Sequence, residues 1–268
     1  MLVVTFTTIP PRFNDLGGFL SGLAAQKTRP DRVELYVAQN YRRFPGERPA
    51  LPPLPEWVNV IEVEHDLGPA TKVLPAARTY AGQDVDILYC DDDRVYDPGW
   101  VGRFQQARKD HPTKAIAEQG LHIEECGTFP RRTPPQPRAI RQPKIRFYRA
   151  IRLLSLGTIR PVRPSFSAAG YIDIAEGYGG VMVRPDFFGP KAWDIPDVMW
   201  TVDDVWLSGQ MQLQGHDVWL NHLAPPRRRN TGVGKVSALA DHVEDGVGRG
   251  DANRMTIDYF RDTYSIWT

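Results

Sequence analysis

DVDILYCDDDRVYDPGW, Asp84 to Trp100, decides how this chain is read. Val85 to Cys90 is a short apolar run bounded by charge, which predicts a buried strand. It ends at three consecutive carboxylates, Asp91, Asp92 and Asp93. Like charges this close repel, and beside a core they are poorly solvated. A metal ion, basic side chains or water must neutralise them. Immediately afterwards, Asp97-Pro98 predicts a helix start, with Asp as cap and Pro in the first turn. Trp100, Val101 and Phe104 then form the apolar face of that helix.

Working outward, Val3 to Ile9 predicts a first strand, closed by Pro10 and Pro11. Leu16, Phe19, Leu20, Leu23 and Ala24 fall at helical spacing after a cap at Asn14 or Asp15. Arg32 to Gln39 and Val58 to Val63 predict strands two and three, separated by a Pro-rich loop over 40–57. GPATKVLPAARTY predicts a short helix, which makes the run before the acids the fourth strand. Lys114 to Glu118 is a fifth strand, Asp203 and Asp204 open a helix that Gly215 ends, DVWL is a further strand, and residues 251–267 form a closing helix. Strands alternating with helices imply a mostly parallel sheet with helices on its faces. Ligands of such sheets bind beyond the carboxyl ends of the strands, where the three acids lie.

The 268 residues are 41% apolar and 24% charged, with a net charge of +1. That balance gives no argument for a nucleic-acid partner. The 24 prolines exceed the usual share of roughly 5% and predict long irregular connections. Cys90 and Cys126 have no metal-type spacing and are too few for a disulfide scaffold, which fits a reducing compartment. No run approaches the roughly 18 apolar residues of a membrane helix, and MLVVTFTTIPPRF lacks the basic start of a signal peptide. The expectation is a cytoplasmic protein.

Residues 126–172 carry ten lysines and arginines, including Arg131, Arg138, Arg141 and Arg163, and no acid. Such a segment is either a solvated surface loop or a flap for a phosphate-bearing ligand. Over 131–163 it also suits a peripheral contact with an anionic membrane surface.

Asp91-x-Asp93 offers two carboxylates from one tight turn. Oxygen-only ligation suits Mg²⁺ or Mn²⁺, which take their remaining ligands from water and substrate phosphates. Alone, the motif is equally an exposed acidic turn.

Its surroundings narrow the choice. A Thr-rich first strand end, GPATK, DILYCDDDRVYDPGWV, EGYGGV and DDVWLSG follow in that order. The series resembles the nucleotide-sugar glycosyltransferases of the GT-A fold, closest to bacterial family-2-like members, over most of the chain apart from 40–57 and the basic segment. The resemblance implies a single domain over 1–268, with a Rossmann-like, mixed, mostly parallel sheet flanked by helices. Residues 1–100 would form the nucleotide-binding half and 101–268 the acceptor side. It implies that Asp91 and Asp93 bind the metal, with Asp92 facing ribose or sugar. Thr7, Thr8, Ile9 and Arg12 would border the nucleotide, and Lys72 would reach base or phosphates unless it is a solvent-facing helix lysine. Gly179 and Gly180 would lie beside the donor sugar, and Glu176, Tyr178 and Trp200 beside the acceptor. Asp204 would be the general base of an inverting reaction, with Asp203 second, unless either merely caps its helix. A late histidine ligand common in the family has no convincing counterpart in His222 or His242. The implied partners are a nucleotide-sugar donor, with UDP the expected nucleotide, and a glycan or lipid-linked acceptor.

Two enzyme classes fit less well. Haloacid-dehalogenase-like phosphatases place a D-x-D on the first strand, and sugar-nucleotide pyrophosphorylases want a Gly-rich loop where TTIPPRF has no glycine. A GT-A-like binding protein without turnover is the remaining alternative.

Overall fold

LVVTFT and DILYCD are apolar on both faces, as strands buried within a covered parallel sheet must be. They are β1 (Leu2–Thr7) and β4 (Asp86–Asp91), and they lie side by side at the centre of an eight-stranded sheet. The computed structural model describes residues 1–46, 50–127, 129–131, 133–142, 165–225, 228–229 and 246–268.

From β1 the chain passes through a 3₁₀ turn (Pro10–Asp15) and α1 (Gly17–Ala24) to β2 (Arg32–Ala38) and β3 (Val58–Val63). A second 3₁₀ turn (Gly68–Lys72) and α2 (Leu74–Thr79) lead into β4. After the acids come the short β5 (Arg94–Val95), α3 (Trp100–Asp110), β6 (Ala115–Ala117) and β7 (Gly120–Leu121). Short strands follow: β8 (Ile140–Arg141), β9 (Phe166–Ala168), β10 (Gly170–Ile172), β11 (Ile174–Ala175) and β12 (Val181–Val183). The last elements are α4 (Asp203–Leu213), β13 (Val218–Leu220), β14 (Arg228–Arg229) and α5 (Arg249–Tyr264).

The main sheet runs β10-β13-β6-β12-β4-β1-β2-β3. Its β4, β1, β2 and β3 are parallel, as are β13 and β6, while β12 is antiparallel to both of its neighbours. This mixed, mostly parallel α/β sheet is the architecture that the resemblance implies. It crosses residue 100 without interruption, because β12 seats itself against β4.

Side-chain alternation divides the core between the two faces of the sheet. Val3, Ile87 and Tyr89 pack on one face with Ala70, Val73 and Leu74. Val4, Phe6, Leu88 and Cys90 pack on the other with Phe19, Trp100 and Phe104. By the same parity Asp91 follows Tyr89, toward the turn that carries Lys72.

Several boundaries depart from the sequence reading. Thr8 and Ile9 lie beyond β1, and the first helix is preceded by a 3₁₀ turn with Leu16 as its N-cap, so neither Asn14 nor Asp15 caps it. The N-cap of α3 is Gly99 rather than Asp97. Asp97 instead accepts the Gly99 N–H at 3.0 Å and a two-point contact from Arg103 at 2.7 and 2.8 Å. No helix among the described residues is long and apolar enough to cross a membrane.

Candidate active site

The carboxyl ends of β1 and β4 are in register, Thr7 opposite Asp91, and the site grows from that pairing. One step on, Thr8 Oγ1 donates to Asp92 Oδ2 at 2.6 Å, and Arg12 meets Asp92 Oδ1 at 2.9 Å. Asp92 is only 3% exposed. Burial pushes its carboxyl up, against the pull of Arg12 and Thr8. It therefore ties the first turn to the fourth strand, with both carboxylate oxygens engaged inside the protein. Thr7 donates to the Tyr36 carbonyl at 2.8 Å, and Ile9 packs with Phe13 and Tyr41.

Lys72 also differs from both of its sequence readings. It is neither a solvent-facing lysine nor free to reach a base. Its ammonium is buried 2.7 Å from Asp91 Oδ1 and 2.9 Å from Asp203 Oδ2. Burial alone would lower its pKa, but Asp203 and Asp91 outweigh that and hold it well above the usual lysine value. In return Lys72 draws the Asp91 carboxyl down, against burial. The close approach requires a glycine at 177, where a Cβ would collide with Lys72 Nζ.

The pair opening α4 lies on the other side of this lysine. Val202 is the N-cap and no side chain caps the helix, so neither Asp203 nor Asp204 serves as one. Asp203 faces Lys72. Asp204 accepts the Gly177 N–H on Oδ1 at 2.9 Å, and Arg249 lies 3.7 Å from its Oδ2. Burial and the neighbouring Asp203 charge push the Asp204 carboxyl well above the usual range. A carboxylate raised in this way is a stronger proton acceptor near neutral pH. Glu176, one residue earlier than Gly177, is likewise pushed up by burial, to about 7.

Asp91 and Asp93 each place one oxygen against a base, Lys72 for Asp91 and Arg94 at 3.2 Å for Asp93. Each retains a second carboxylate oxygen. This all-oxygen donor set fits a hard divalent cation that draws its remaining ligands from water and phosphate. Among the described residues no third acid, histidine or cysteine joins them within 4.8 Å; the one group that close is His122, Glu124 and Asp173. Arg131 and Arg138 already neutralise that group. His222 stands apart with a buried Nδ1 that takes no hydrogen bond, and His242 lies outside the described residues.

The remaining expected residues divide. Tyr178 borders the acids: Arg94 lies over its ring at 4.9 Å, and its hydroxyl meets Gln119 at 3.1 Å. Gly179 and Gly180 are shaped by the protein itself, since a Cβ would strike Gln119 at 2.7 Å or the Trp100 ring at 2.5 Å, and Gly180 has φ +80°. Trp200 is 6% exposed, packed on Gly68 with its Nε1–H on the Asp66 carbonyl, so it offers no open face to an acceptor ring. The described arginines at the start of the basic segment are spent on flanking acids. Arg131 meets Asp173, Arg138 meets Glu124 and Asp173, and Arg141 meets Glu125. The stretch 143–164, which holds most of the expected flap and membrane contact, lies outside the described residues.

Three contributors were missed. Tyr96 shares its hydroxyl between the carbonyls of Asp91 and Tyr178, Arg94 sits beside Asp93, and Arg249 approaches Asp204. Adjacency to the acids could have flagged Arg94. No local pattern points to Arg249, which only the packing of α5 against α4 brings there. Beyond the ends of β2 and β3 lies an open recess of about 530 Å³ lined by Tyr41, Arg42, Glu64, His65 and Asp66.

No protein family and no curated protein matches the chain. Among solved structures it is similar to S. aureus TarS 1-349, at 13% identity and a TM-score of 0.40, over 84% of this chain and 59% of that one. TarS 1-349 in complex with UDP gives 13%, 0.43, 84% and 59%. In complex with UDP-GlcNAc the values are 12%, 0.44, 84% and 57%. The chain spans less than two thirds of each of these structures. A superposition this loose carries no argument about activity, which rests on the site's own geometry.

Proposed function

We propose that the chain is a GT-A-type glycosyltransferase that moves a sugar from a nucleoside-diphosphate donor to a hydroxyl of a glycan or lipid-linked acceptor, with inversion. One observation carries the reading. Asp91, one of two carboxylates suited to a divalent cation with Asp93, is joined through buried Lys72 to Asp203, whose neighbour Asp204 is raised toward neutral pH. A phosphatase of the haloacid-dehalogenase type needs its acids on the first strand, whereas these end β4.

Asp91 and Asp93 would hold Mg²⁺ or Mn²⁺, which when bound supplies Lewis-acid stabilisation of the charge on a departing diphosphate. The recess beyond β2 and β3, at the carboxyl ends of parallel strands, would take the nucleoside. Asp204 takes the acceptor proton on Oδ2, while the Gly177 N–H holds Oδ1 and fixes the carboxylate plane. Lys72 draws the Asp91 carboxyl down, so Asp91 retains the charge its role needs. Glu176 and Tyr178 border the acceptor side.

The test is thermal unfolding with UDP or GDP, each with and without Mn²⁺, on wild type and on Asp93→Asn. Asp93 is the informative position, because Asp91→Asn would also disturb Lys72. A nucleotide at about 100 times its Kd should raise the midpoint by on the order of 5 °C. The reading expects a metal-dependent rise that Asp93→Asn removes. No rise with either nucleotide near millimolar concentration overturns it.

A further inference from the structure

Two cations reach the acid pair of α4, and they are held differently. The Lys72 side chain is 3% exposed and engages carboxylates at 2.7 and 2.9 Å. Arg249 is 37% exposed and stands 3.7 Å from Asp204 Oδ2, at the outer margin of an ion pair. Its backbone is nonetheless anchored. Arg249 begins α5, whose Ala252, Ile257 and Phe260 are buried, with Phe260 packed against Gly209 of α4. The result is a fixed Cα with a loosely engaged guanidinium. Its charge also bears on Glu176, so it faces acids from two segments of the site.

Those acids create a requirement. A nucleoside diphosphate arriving beside Asp91, Asp93 and Asp204 meets like charge, and a divalent cation offsets only part of it. Lys72 cannot move to the phosphates without abandoning two buried carboxylates. Among the described residues Arg249 gives up one long ion pair, at 3.7 Å. A guanidinium also offers a planar fork that matches two phosphate oxygens, a better partner than one carboxylate oxygen at 3.7 Å.

We propose that Arg249 is the residue that receives the diphosphate of the donor, exchanging Asp204 for phosphate as the donor binds. The inference rests on the glycosyltransferase reading and deepens it. In the absence of donor Arg249 covers the carboxylate of Asp204, and donor binding uncovers it for the acceptor hydroxyl.

The test is calorimetric titration of wild type, R249A and R249Q with UDP, GDP, UMP and GMP in the presence of Mg²⁺. Wild type should prefer one diphosphate over its monophosphate. Both variants should lose about 10- to 100-fold in affinity for that diphosphate and stay within about twofold for the monophosphate. R249Q keeps a polar but shorter and uncharged side chain and carries the test if R249A does not fold. A diphosphate preference that survives in the variants overturns the assignment. Equal losses for diphosphate and monophosphate overturn it too, because they mark a structural role. A wild type that binds neither diphosphate overturns the donor reading itself.

Discussion

Lys72 Nζ lies 2.7 Å from Asp91 Oδ1, at a point where a 3₁₀ turn and the end of a central strand meet. The same ammonium is 2.9 Å from Asp203 Oδ2 on α4. One buried cation therefore joins the two acidic segments that the chemistry needs together. Removing it leaves two carboxylates without their counter-charge, one of them, Asp203, only 6% exposed. Lys72→Met should cost about 3–5 kcal/mol in urea unfolding. The double variant Lys72→Met/Asp203→Asn should recover part of that loss, because it removes the stranded charge as well. A single-variant loss below about 1 kcal/mol would show that the ammonium is solvated.

The two acids of α4 should separate cleanly by substitution. Asp204→Asn keeps an oxygen for the Gly177 N–H and removes the proton acceptor. It should lower kcat by about 10²- to 10⁴-fold, without weakening nucleotide binding and with stability near neutral pH equal to or above wild type, since burial already penalises the ionised Asp204. Asp203→Asn weakens the partner of buried Lys72 and should destabilise the fold instead. The comparison needs kcat, nucleotide affinity and the unfolding midpoint for both variants. Equal kcat losses with equal destabilisation would assign both acids to structure.

Gly68 and Trp200 test whether that tryptophan serves the fold. Gly68 has φ +60°, and a Cβ there would lie 2.6 Å from the Trp200 ring. The left-handed backbone alone disfavours alanine by about 1–2 kcal/mol, and displacing the ring adds to it. Gly68→Ala should lower stability by more than that backbone cost in chemical denaturation. Trp200→Phe should also destabilise, by losing the Nε1–H contact to the Asp66 carbonyl, without a selective rise in acceptor KM. A KM effect at full stability would return Trp200 to the acceptor side.

What could be read from the sequence followed from local rules. The apolar runs of β1 and β4 are long enough, and bounded sharply enough, to declare themselves, and the acids after Cys90 mark a strand end at any level of detail. The direction of each acid was not legible. Asp91 points to Lys72 and Asp92 to Thr8 and Arg12 because side chains alternate along β4 and because β1 is paired in that register. Composition contains no trace of either fact. Trp200 was placed beside the acceptor by the resemblance alone, yet it packs on Gly68, distant in sequence. The described start of the basic segment misled in a related way. A run without acids reads as unpaired charge, but Glu124, Glu125 and Asp173 lie just outside its limits and meet Arg131, Arg138 and Arg141. Arg249 was invisible because tertiary packing alone brings it to Asp204.

Glu176 gives a prediction in pH. Its carboxyl is pushed up to about 7 by burial, from 4.5 in the unfolded chain. Between those values the native state holds a proton that the unfolded state has released. Stability from this group is therefore present below about pH 4.5 and is lost as pH rises through about 7. The ionised carboxylate at pH 8 then carries a penalty on the order of 2 kcal/mol, allowing for partial hydration of a site that is not fully closed. Glu176→Gln removes the titration and keeps the shape. The variant should match wild type near pH 4.5 and unfold at a higher temperature at pH 8. Unfolding scans at the two pH values, compared between the two proteins, decide it. A difference independent of pH would mean that packing or hydrogen bonding, not the buried charge, sets the effect. A variant less stable at pH 8 would mean that Arg141 and Arg249, whose charges pull the Glu176 carboxyl down, already offset its ionised form.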